Sequence, residues 1–375
     1  RMDESWPDWR AEAPYVGPGS SSPLVVEFGA ANLDERDLTR AAAASRLLIV
    51  VPGVDAGEPS ARRDFADEVR RLGGYQLVLH DDWCAGTVGR RLMLPGATEA
   101  AGDRLADLVR ALHERRRGLR IDVLAHSGGT VVVAKAAGRL AASESPAAFH
   151  HLLFLGSPMD PDADLTALLA RSAALINVHS AFDKVNRTLA DHTVGLHCLP
   201  ETPARCNLAL DRSLAGLLLR HGTVLEPGVD LRLHWALILR DGAVPAAGPT
   251  PSAAHPSLEA LHRWALGLTP DRTTAGACDL ARRLCGSGDL DRSAYGVIAA
   301  TRLADPSCWP AIAPLLRDPA SPPWLRRLIH RHLVTLHDGR HIDLLRWCRK
   351  HDPANAESTR DALREIKHQG VEAVR

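Results

Sequence analysis

One serine lies in a sequence context that is suited to nucleophilic catalysis. Ser127 follows a short run at 121–124 that contains Ile, Val and Leu, and a segment rich in Val and Ala begins directly after it at 128–141. A serine nucleophile on an open sheet must project from a sharp turn between a strand and a helix, with small residues two positions before and after it. Ala125 and Gly129 occupy those positions. The context predicts a strand, a turn that carries Ser127, and a helix; a glycine-rich turn with an incidental serine is the alternative.

The elements that would position Ser127 form a regular pattern. Short apolar runs alternate with amphipathic segments from about residue 23 to residue 240, which is typical of a parallel sheet wrapped by helices. Candidate strands are at 24–28, 46–51, 75–80, 121–125, 152–155 and 174–179, and candidate helices are at 60–72, 98–116 and 128–141. This pattern predicts an α/β fold for the first two thirds of the chain.

The turn and its surroundings resemble a known family. The elbow reads Ala125-His126-Ser127-Gly128-Gly129. Together with residues 46–54, 119–135 and 174–186, it resembles the α/β-hydrolase-fold enzymes of the lipase and esterase type. The family usually has glycine where this chain has Ala125, but alanine is small enough to fit. The resemblance covers residues 20–240 and implies an α/β-hydrolase-type, mostly parallel sheet flanked by helices.

The resemblance also implies an oxyanion hole and an acid. The family takes one backbone N–H from the residue after the nucleophile, here Gly128, and a second from the loop after an early strand, here Val54. The acid is expected in the loop that follows strand 174–179, which indicates Asp183. Asp160, at the end of the preceding strand, is the alternative acid, because some members of the fold take theirs from that position. A solvated turn aspartate is the simpler interpretation of Asp183.

The base is chosen from 18 histidines. The resemblance implies a histidine on a loop after the last strand, often followed by an aromatic residue and a helix. His234, which precedes Trp235, matches this description best, and His221 is the second candidate. We therefore expect a triad of Ser127, Asp183 and His234.

The predicted chemistry is acyl transfer from a small-molecule ester or acyl substrate. Ser127 would attack a carboxylic ester or thioester, His234 would take the serine proton, and water would then hydrolyse the acyl-enzyme. This chemistry requires no cofactor and no metal, and the sequence contains neither a CxxC nor an HExxH pattern. Two alternatives remain open: an acyltransferase with the same triad, and a catalytically silent hydrolase-fold scaffold.

The last third of the chain has a different composition. Residues 243–256 form a linker rich in Pro and Ala, which separates a hydrolase domain at 1–242 from an α-helical domain at 257–375. The triplet Asp-Pro-Ala at 318–320 recurs at 352–354, which suggests HEAT-like helix pairs, with a non-repeating bundle as the alternative. Because helical repeats usually form extended recognition surfaces, a protein partner could bind residues 257–375.

Composition argues against several other classes of protein. The 45 basic residues equal the 45 acidic residues, so the chain lacks the broad positive field that nucleic-acid binding requires. No apolar stretch is long enough to span a membrane. The N-terminal sequence lacks the apolar core of a signal peptide, and the seven scattered cysteines do not suggest a disulfide framework. We therefore expect a cytoplasmic protein with reduced thiols.

Overall fold

A parallel sheet flanked by helices is followed by a region that consists of helices. The computed structural model describes residues 25–28, 33–53, 59–83, 95–143, 145–160, 162–183, 185–186, 193–196, 198–210, 213–217, 219, 221, 225, 228–272, 275–336 and 339–372. The α/β prediction and the prediction of a helical C-terminal region are both confirmed.

The sheet contains seven strands in the order β1-β3-β2-β4-β5-β6-β7, and all the described pairs are parallel. The strands are β1 (Val25–Phe28), β2 (Arg46–Val51), β3 (Leu77–Asp81), β4 (Arg120–His126), β5 (His151–Leu155), β6 (Ala174–His179) and β7 (Arg205–Ala209). Central strands such as β2 read as continuous apolar runs because helices cover both of their faces. The parallel arrangement brings the carboxyl ends of all these strands to one edge of the sheet.

Helices cover both faces of the sheet. One face packs against α1 (Glu35–Ala43), α3 (Pro95–Arg115), α4 (Gly128–Ala142) and α5 (Thr166–Ala170). The other face packs against α2 (Pro59–Gly73) and α6 (Val229–Asp241). Leu165 and Leu168, beside and within α5, are buried in the first of these two cores, so this short helix belongs to the helical layer.

Helix α6 joins the sheet to the helical region. Its residues Leu231, Trp235 and Ile238 pack toward the sheet, whereas Leu233 and Leu237 pack among the C-terminal helices. Residues 229–239 are consequently all buried, and the helix lacks the polar face that a surface helix shows. Helix α6 therefore packs between the sheet on one side and the C-terminal helices on the other.

Seven further helices follow the irregular segment 243–257 in the described part of the chain. They are α7 (Leu258–Leu266), α8 (Ala275–Cys285), α9 (Leu290–Leu303), α10 (Trp309–Arg317), α11 (Pro323–Leu336), α12 (Gly339–His351) and α13 (Ala356–Glu372). Their apolar faces share one core with α6. Among the described residues, every helix is too short or too polar to serve as a transmembrane segment.

The two Asp-Pro-Ala triplets have different environments. Asp318 is exposed, and its carboxylate accepts a hydrogen bond from the Ala320 N–H at 2.9 Å. Asp352 is fully buried and pairs instead with the guanidinium of Arg326, at 3.0 Å from Nε. The aspartate of the triplet therefore stabilises a local turn at one position, whereas at the other it ties the segment after α12 to α11.

Candidate active site

Ser127 has a backbone conformation that residues other than glycine rarely adopt. It lies between β4 and α4 with φ 49° and ψ −127°. Strain of this kind persists where neighbouring structure enforces it and is concentrated at functional sites. The Ser127 N–H donates to the Leu155 carbonyl at 2.9 Å, and the Thr130 hydroxyl donates to the Ser127 carbonyl at 2.7 Å. The Ser127 hydroxyl forms no capping hydrogen bond with the N-terminus of α4.

Two glycines allow the elbow to pack against the end of β2. A Cβ atom at Gly129 would collide with the carbonyl oxygens of Val51 and Pro52, the second at 2.7 Å. A Cβ atom at Gly53 would lie 2.6 Å from the Cβ atom of Ser127. The indole N–H of Trp83 donates to the Pro52 carbonyl at 2.8 Å and holds this turn. The backbone after β2 therefore passes directly beside Ser127.

A buried aspartate and a histidine form a pair at the same edge of the sheet. Asp183, which is 2% exposed, follows β6, and its Oδ2 atom accepts a hydrogen bond from His221 Nδ1 at 2.8 Å. Asn186 also donates to this carboxylate, through its backbone N–H at 2.9 Å and its side-chain amide at 2.8 Å. A proton on Nδ1 of His221 leaves Nε2 with a lone pair. The histidine is thus held in the tautomer that a general base requires.

The pair lies over the end of β5, next to the elbow. A Cβ atom at Gly156 would be 3.0 Å from Asp183 Oδ2 and 3.1 Å from His221 Nδ1. Gly156 directly follows Leu155, whose carbonyl accepts the hydrogen bond from the backbone of Ser127. The Asp183–His221 pair and the Ser127 elbow are therefore held at one point of the sheet edge.

His126, inside the elbow, connects the elbow to the His221 segment. Its Nε2 atom lies 2.8 Å from the His221 carbonyl, and the two rings are 4.7 Å apart between centroids. Because a carbonyl only accepts hydrogen bonds, Nε2 of His126 must carry the proton. Burial lowers the pKa of His126 to about 3, so the ring is neutral at physiological pH. His126 therefore fixes the backbone of His221 and does not act as a base itself.

One of the two expected oxyanion donors, Gly128, lies at the start of α4. Gly128 is the first residue of this helix, and the first N–H groups of a helix have no acceptor within the helix and carry its positive dipole end. Val54, the other expected donor, lies outside the described residues. Gly53, its neighbour, is described and lies against Ser127.

The structure places His234 away from this edge. It lies within α6, is 7% exposed, and its Nδ1 atom is 3.0 Å from Nε2 of His262. His262 Nδ1 in turn lies 2.9 Å from the hydroxyl of Tyr295. Burial lowers the pKa of His234 to about 4. His234, the predicted base, thus contacts the C-terminal helices that pack on α6, whereas His221, the second candidate, contacts Asp183.

Asp160, the alternative acid, is exposed. Its Oδ1 atom accepts a hydrogen bond from the Asp162 N–H at 2.9 Å, which is a local turn contact. Its environment contrasts with that of Asp183, which is buried and receives hydrogen bonds from Asn186 and His221. Of the two candidates, Asp183 is the one that contacts a histidine.

A second cluster of titratable groups lies at the opposite, amino edge of the sheet. The ligand atoms of Asp122, His150 and His151 lie within 4.8 Å of one another, as in a metal site. Arg46 and Tyr75 also bond the Asp122 carboxylate, at 2.6 and 2.8 Å. Nδ1 of His151 lies 2.6 Å from a backbone carbonyl and must carry a proton there. These donor atoms are committed to an ion-pair network and do not form an open ligand set.

The sequence contained a weak signal for His221. Strand β7 has the sequence Arg-Cys-Asn-Leu-Ala and is only half-buried, so it does not form an apolar run and was not predicted. Once β7 is recognised, His221 is the histidine between the last strand and α6, whereas His234 lies within the helix. The role of Asn186 as a donor to Asp183 had no signal, because it depends on how the chain turns after β6.

Comparison of the sequence with models of known protein families found no match. A comparison with curated proteins likewise found no similar protein. Fold and site geometry are therefore the basis for the functional argument.

Proposed function

We propose that this protein is a serine hydrolase that acts on carboxylic esters or thioesters through Ser127, His221 and Asp183. The observation that carries the proposal is the hydrogen bond of 2.8 Å between His221 and the buried Asp183 carboxylate, at the same edge as the Ser127 elbow. The order of the three residues along the chain, Ser, Asp, His, is the order expected for a nucleophile elbow on an open α/β sheet. His221 replaces His234 as the proposed base.

The proposed reaction proceeds through an acyl-enzyme. Nε2 of His221 accepts the proton of the Ser127 hydroxyl as Oγ attacks the acyl carbon. The N–H groups of Gly128 and Val54 stabilise the oxyanion. The imidazolium then protonates the departing alcohol or thiol, and the acyl group remains on Ser127. Water, deprotonated by His221, attacks this ester and releases the acid, so no external oxidant or cofactor takes part.

The surface beside the proposed acid supports an apolar acyl group. Phe182 and Val185, which flank Asp183 closely in sequence, are 42% and 43% exposed. Large apolar side chains grouped at one exposed place often mark a binding surface. Short to medium acyl esters are therefore the first substrates to test.

The direct test combines covalent labelling with turnover. The native protein, Ser127→Ala and the control Ser287→Ala, whose serine is exposed in the helical region, are treated with a fluorescent fluorophosphonate. In parallel, p-nitrophenyl esters with acyl chains of increasing length are assayed. The proposal requires that labelling and turnover occur in the native protein and Ser287→Ala and are lost in Ser127→Ala. A folded native protein that neither reacts nor hydrolyses any of these esters contradicts it.

The same assay addresses the two alternatives. An acyltransferase would give ester or amide products in preference to free acid when an alcohol or amine is added, while still depending on Ser127. A catalytically silent scaffold would show no labelling, and a protein partner of residues 257–375 would then be the next hypothesis. The hydrogen-bonded Asp183–His221 pair favours the active enzyme, because a scaffold has no need of an oriented imidazole.

A further inference from the structure

A cavity lies between the sheet domain and the C-terminal helices. It has a volume of about 190 Å³ and is lined by residues 213, 216, 217 and 219, the start of α6, and residues of α11 and α13. This volume corresponds to about six waters of liquid and is smaller than the roughly 300–1,000 Å³ typical of sites for drug-sized ligands. The cavity is therefore of a size that suits a small metabolite.

Three polar side chains in the cavity wall carry buried atoms that lack a hydrogen-bond partner among the described residues. These atoms are Oδ2 of Asp230, Nε2 of His330 and Nε of Arg331. Asp230 and His330 are only 3% and 1% exposed. A buried polar atom without a partner costs free energy, and native proteins satisfy nearly all such atoms with protein, water or ligand. The cavity thus offers both acceptors and donors to a molecule inside it.

The negative side of the cavity is at the start of α6. The Asp230 carboxylate is held by Ser213 and by backbone N–H groups of the same region, but its Oδ2 atom has no partner and it forms no ion pair with any described residue. Burial raises its pKa to about 6, so the group is charged at neutral pH and lacks a compensating cation. A ligand ammonium group would supply that charge.

The positive side of the cavity is on α11. Arg327 and Arg331 lie one turn apart on this helix and both line the cavity. Burial lowers the pKa of Arg327, while the nearby Asp352 carboxylate raises it, and its Nε–H donates to Asn355 Oδ1 at 3.3 Å. Three carboxylates of α13, those of Glu357, Asp361 and Glu365, also line the cavity. Glu365 pairs with one guanidinium nitrogen of Arg331, and Asp361 pairs with Arg364. The buried Nε–H of Arg331 has no acceptor among the described residues, so it can donate a charge-assisted hydrogen bond to an anionic group in the cavity.

We propose that this cavity binds a small zwitterion with the size and chemistry of an α-amino acid. Its ammonium group lies at Asp230, and its carboxylate lies at the Nε–H of Arg331. His330 bonds a further polar atom, and Leu217, Leu231 and Leu328 form the apolar part of the wall. The two charges of the ligand match two opposite charges that the protein places on different elements of the same cavity.

The test is a binding measurement on the full chain. Each of the twenty L-amino acids is assayed by thermal shift, and those that stabilise the protein are measured by isothermal titration calorimetry. For a binder, the analogue without the carboxylate and the analogue without the amine are measured in the same way. We expect loss of either charged group to weaken binding by about tenfold or more, since hydrogen bonds to charged groups are the stronger ones.

Two variants and a control locate the site. Asp230→Asn and Arg331→Lys should each weaken binding at least about tenfold, whereas Asp279→Asn, which alters an exposed carboxylate on α8, should bind as the native protein does. Circular dichroism confirms the fold of each variant, and Arg331→Lys decides the question if Asp230→Asn does not fold.

Three outcomes would overturn the proposal: no amino acid binds and the cavity holds water only, the amine analogue binds as well as the zwitterion, or the two variants bind like the native protein. Binding is measured without catalysis, so this result is independent of whether Ser127 acts as a nucleophile.

Discussion

Nδ1 of His221 lies 2.8 Å from Oδ2 of Asp183, although 38 residues separate the two along the chain. The pair lies over Gly156, which follows the strand whose last carbonyl accepts the Ser127 N–H. Ser127, Asp183 and His221 follow three different strands, β4, β6 and β7. Each of the three residues of the proposed hydrolase site can therefore be tested by its own substitution.

Replacing the proposed base should remove catalysis. We expect His221→Asn to lower kcat by about 10⁴-fold or more, because the serine proton then has no acceptor. His234→Gln should leave kcat within a few-fold of native, since His234 contacts His262 in the helical core. Steady-state hydrolysis of a p-nitrophenyl ester by both variants separates the two assignments, and an inactive, folded His234→Gln with an active His221→Asn would reverse them.

Replacing the proposed acid should disturb the histidine more than the fold. Oδ1 of Asp183 accepts from the Asn186 N–H and Oδ2 accepts from His221, and Asp183→Asn turns one of these two oxygens into an NH₂ group that cannot accept. We expect kcat to fall about 10³–10⁴-fold, as expected when the imidazole loses its orienting carboxylate. Asp160→Asn is the matched control, because Asp160 is exposed, and its kcat should be unchanged. Equal loss in both variants would argue against Asp183 as the acid.

His126 should behave as a positioning residue. His126→Phe removes the donor to the His221 carbonyl, and a buried acceptor without a partner costs roughly 1–3 kcal/mol. We expect kcat/KM to fall about tenfold to a hundredfold. His126→Gln can place an amide N–H near the position of Nε2, so it should recover most of the activity. If Phe and Gln are equally active, or equally inactive while folded, the hydrogen bond is not what His126 contributes.

The packing of the elbow should tolerate no side chain at Gly129. Gly129→Ala puts a Cβ atom against the carbonyls of Val51 and Pro52, so we expect a marked fall in Tm together with loss of activity. Gly138 lies in the same helix with open space at its Cβ position. Gly138→Ala should stabilise the protein by about 0.5–1 kcal/mol, through the higher helix propensity of alanine. Thermal unfolding of both variants measures the contrast, and similar Tm values would contradict the packing argument.

The buried histidines between α6 and the C-terminal helices should make the fold sensitive to acid. Burial lowers the pKa of His234 to about 4 and that of His262 to about 3, from the unperturbed 6.5. The unfolded chain therefore takes up protons below pH 6.5 while the folded chain does not, and stability is lost as pH falls from 6.5 toward 4.

Urea unfolding at pH 7 and pH 5 measures this effect. For one such histidine the free energy of unfolding should fall by about 2 kcal/mol over that interval. His234→Gln should therefore lose less stability than the native protein, by about this amount. His255→Gln alters an exposed histidine and should match the native pH dependence. An unchanged pH dependence in His234→Gln would show that His234 is not the group that titrates.

Much of the sheet could be predicted from local sequence. β2 and β6 were predicted with their observed bounds, and β4 and α4 within one or two residues. Buried parallel strands are continuous apolar runs, and in amphipathic helices apolar residues recur every three to four positions. Both patterns can therefore be recognised in a single sequence. The strand, turn and helix around Ser127 were predicted for the same reason, because small residues are required where backbones approach closely.

The sequence by itself therefore determined the α/β class, the elbow and the helical character of the last third of the chain. Only the tertiary structure decided which histidine meets Asp183. The half-buried β7 leaves no apolar run, and the contact between Asp183 and His221 depends on the order in which strands pair, which is a property of non-local packing. The cavity between α6 and α11 has the same origin: Asp230 and Arg331 are far apart in the chain, and they line one cavity because the helical region packs against α6.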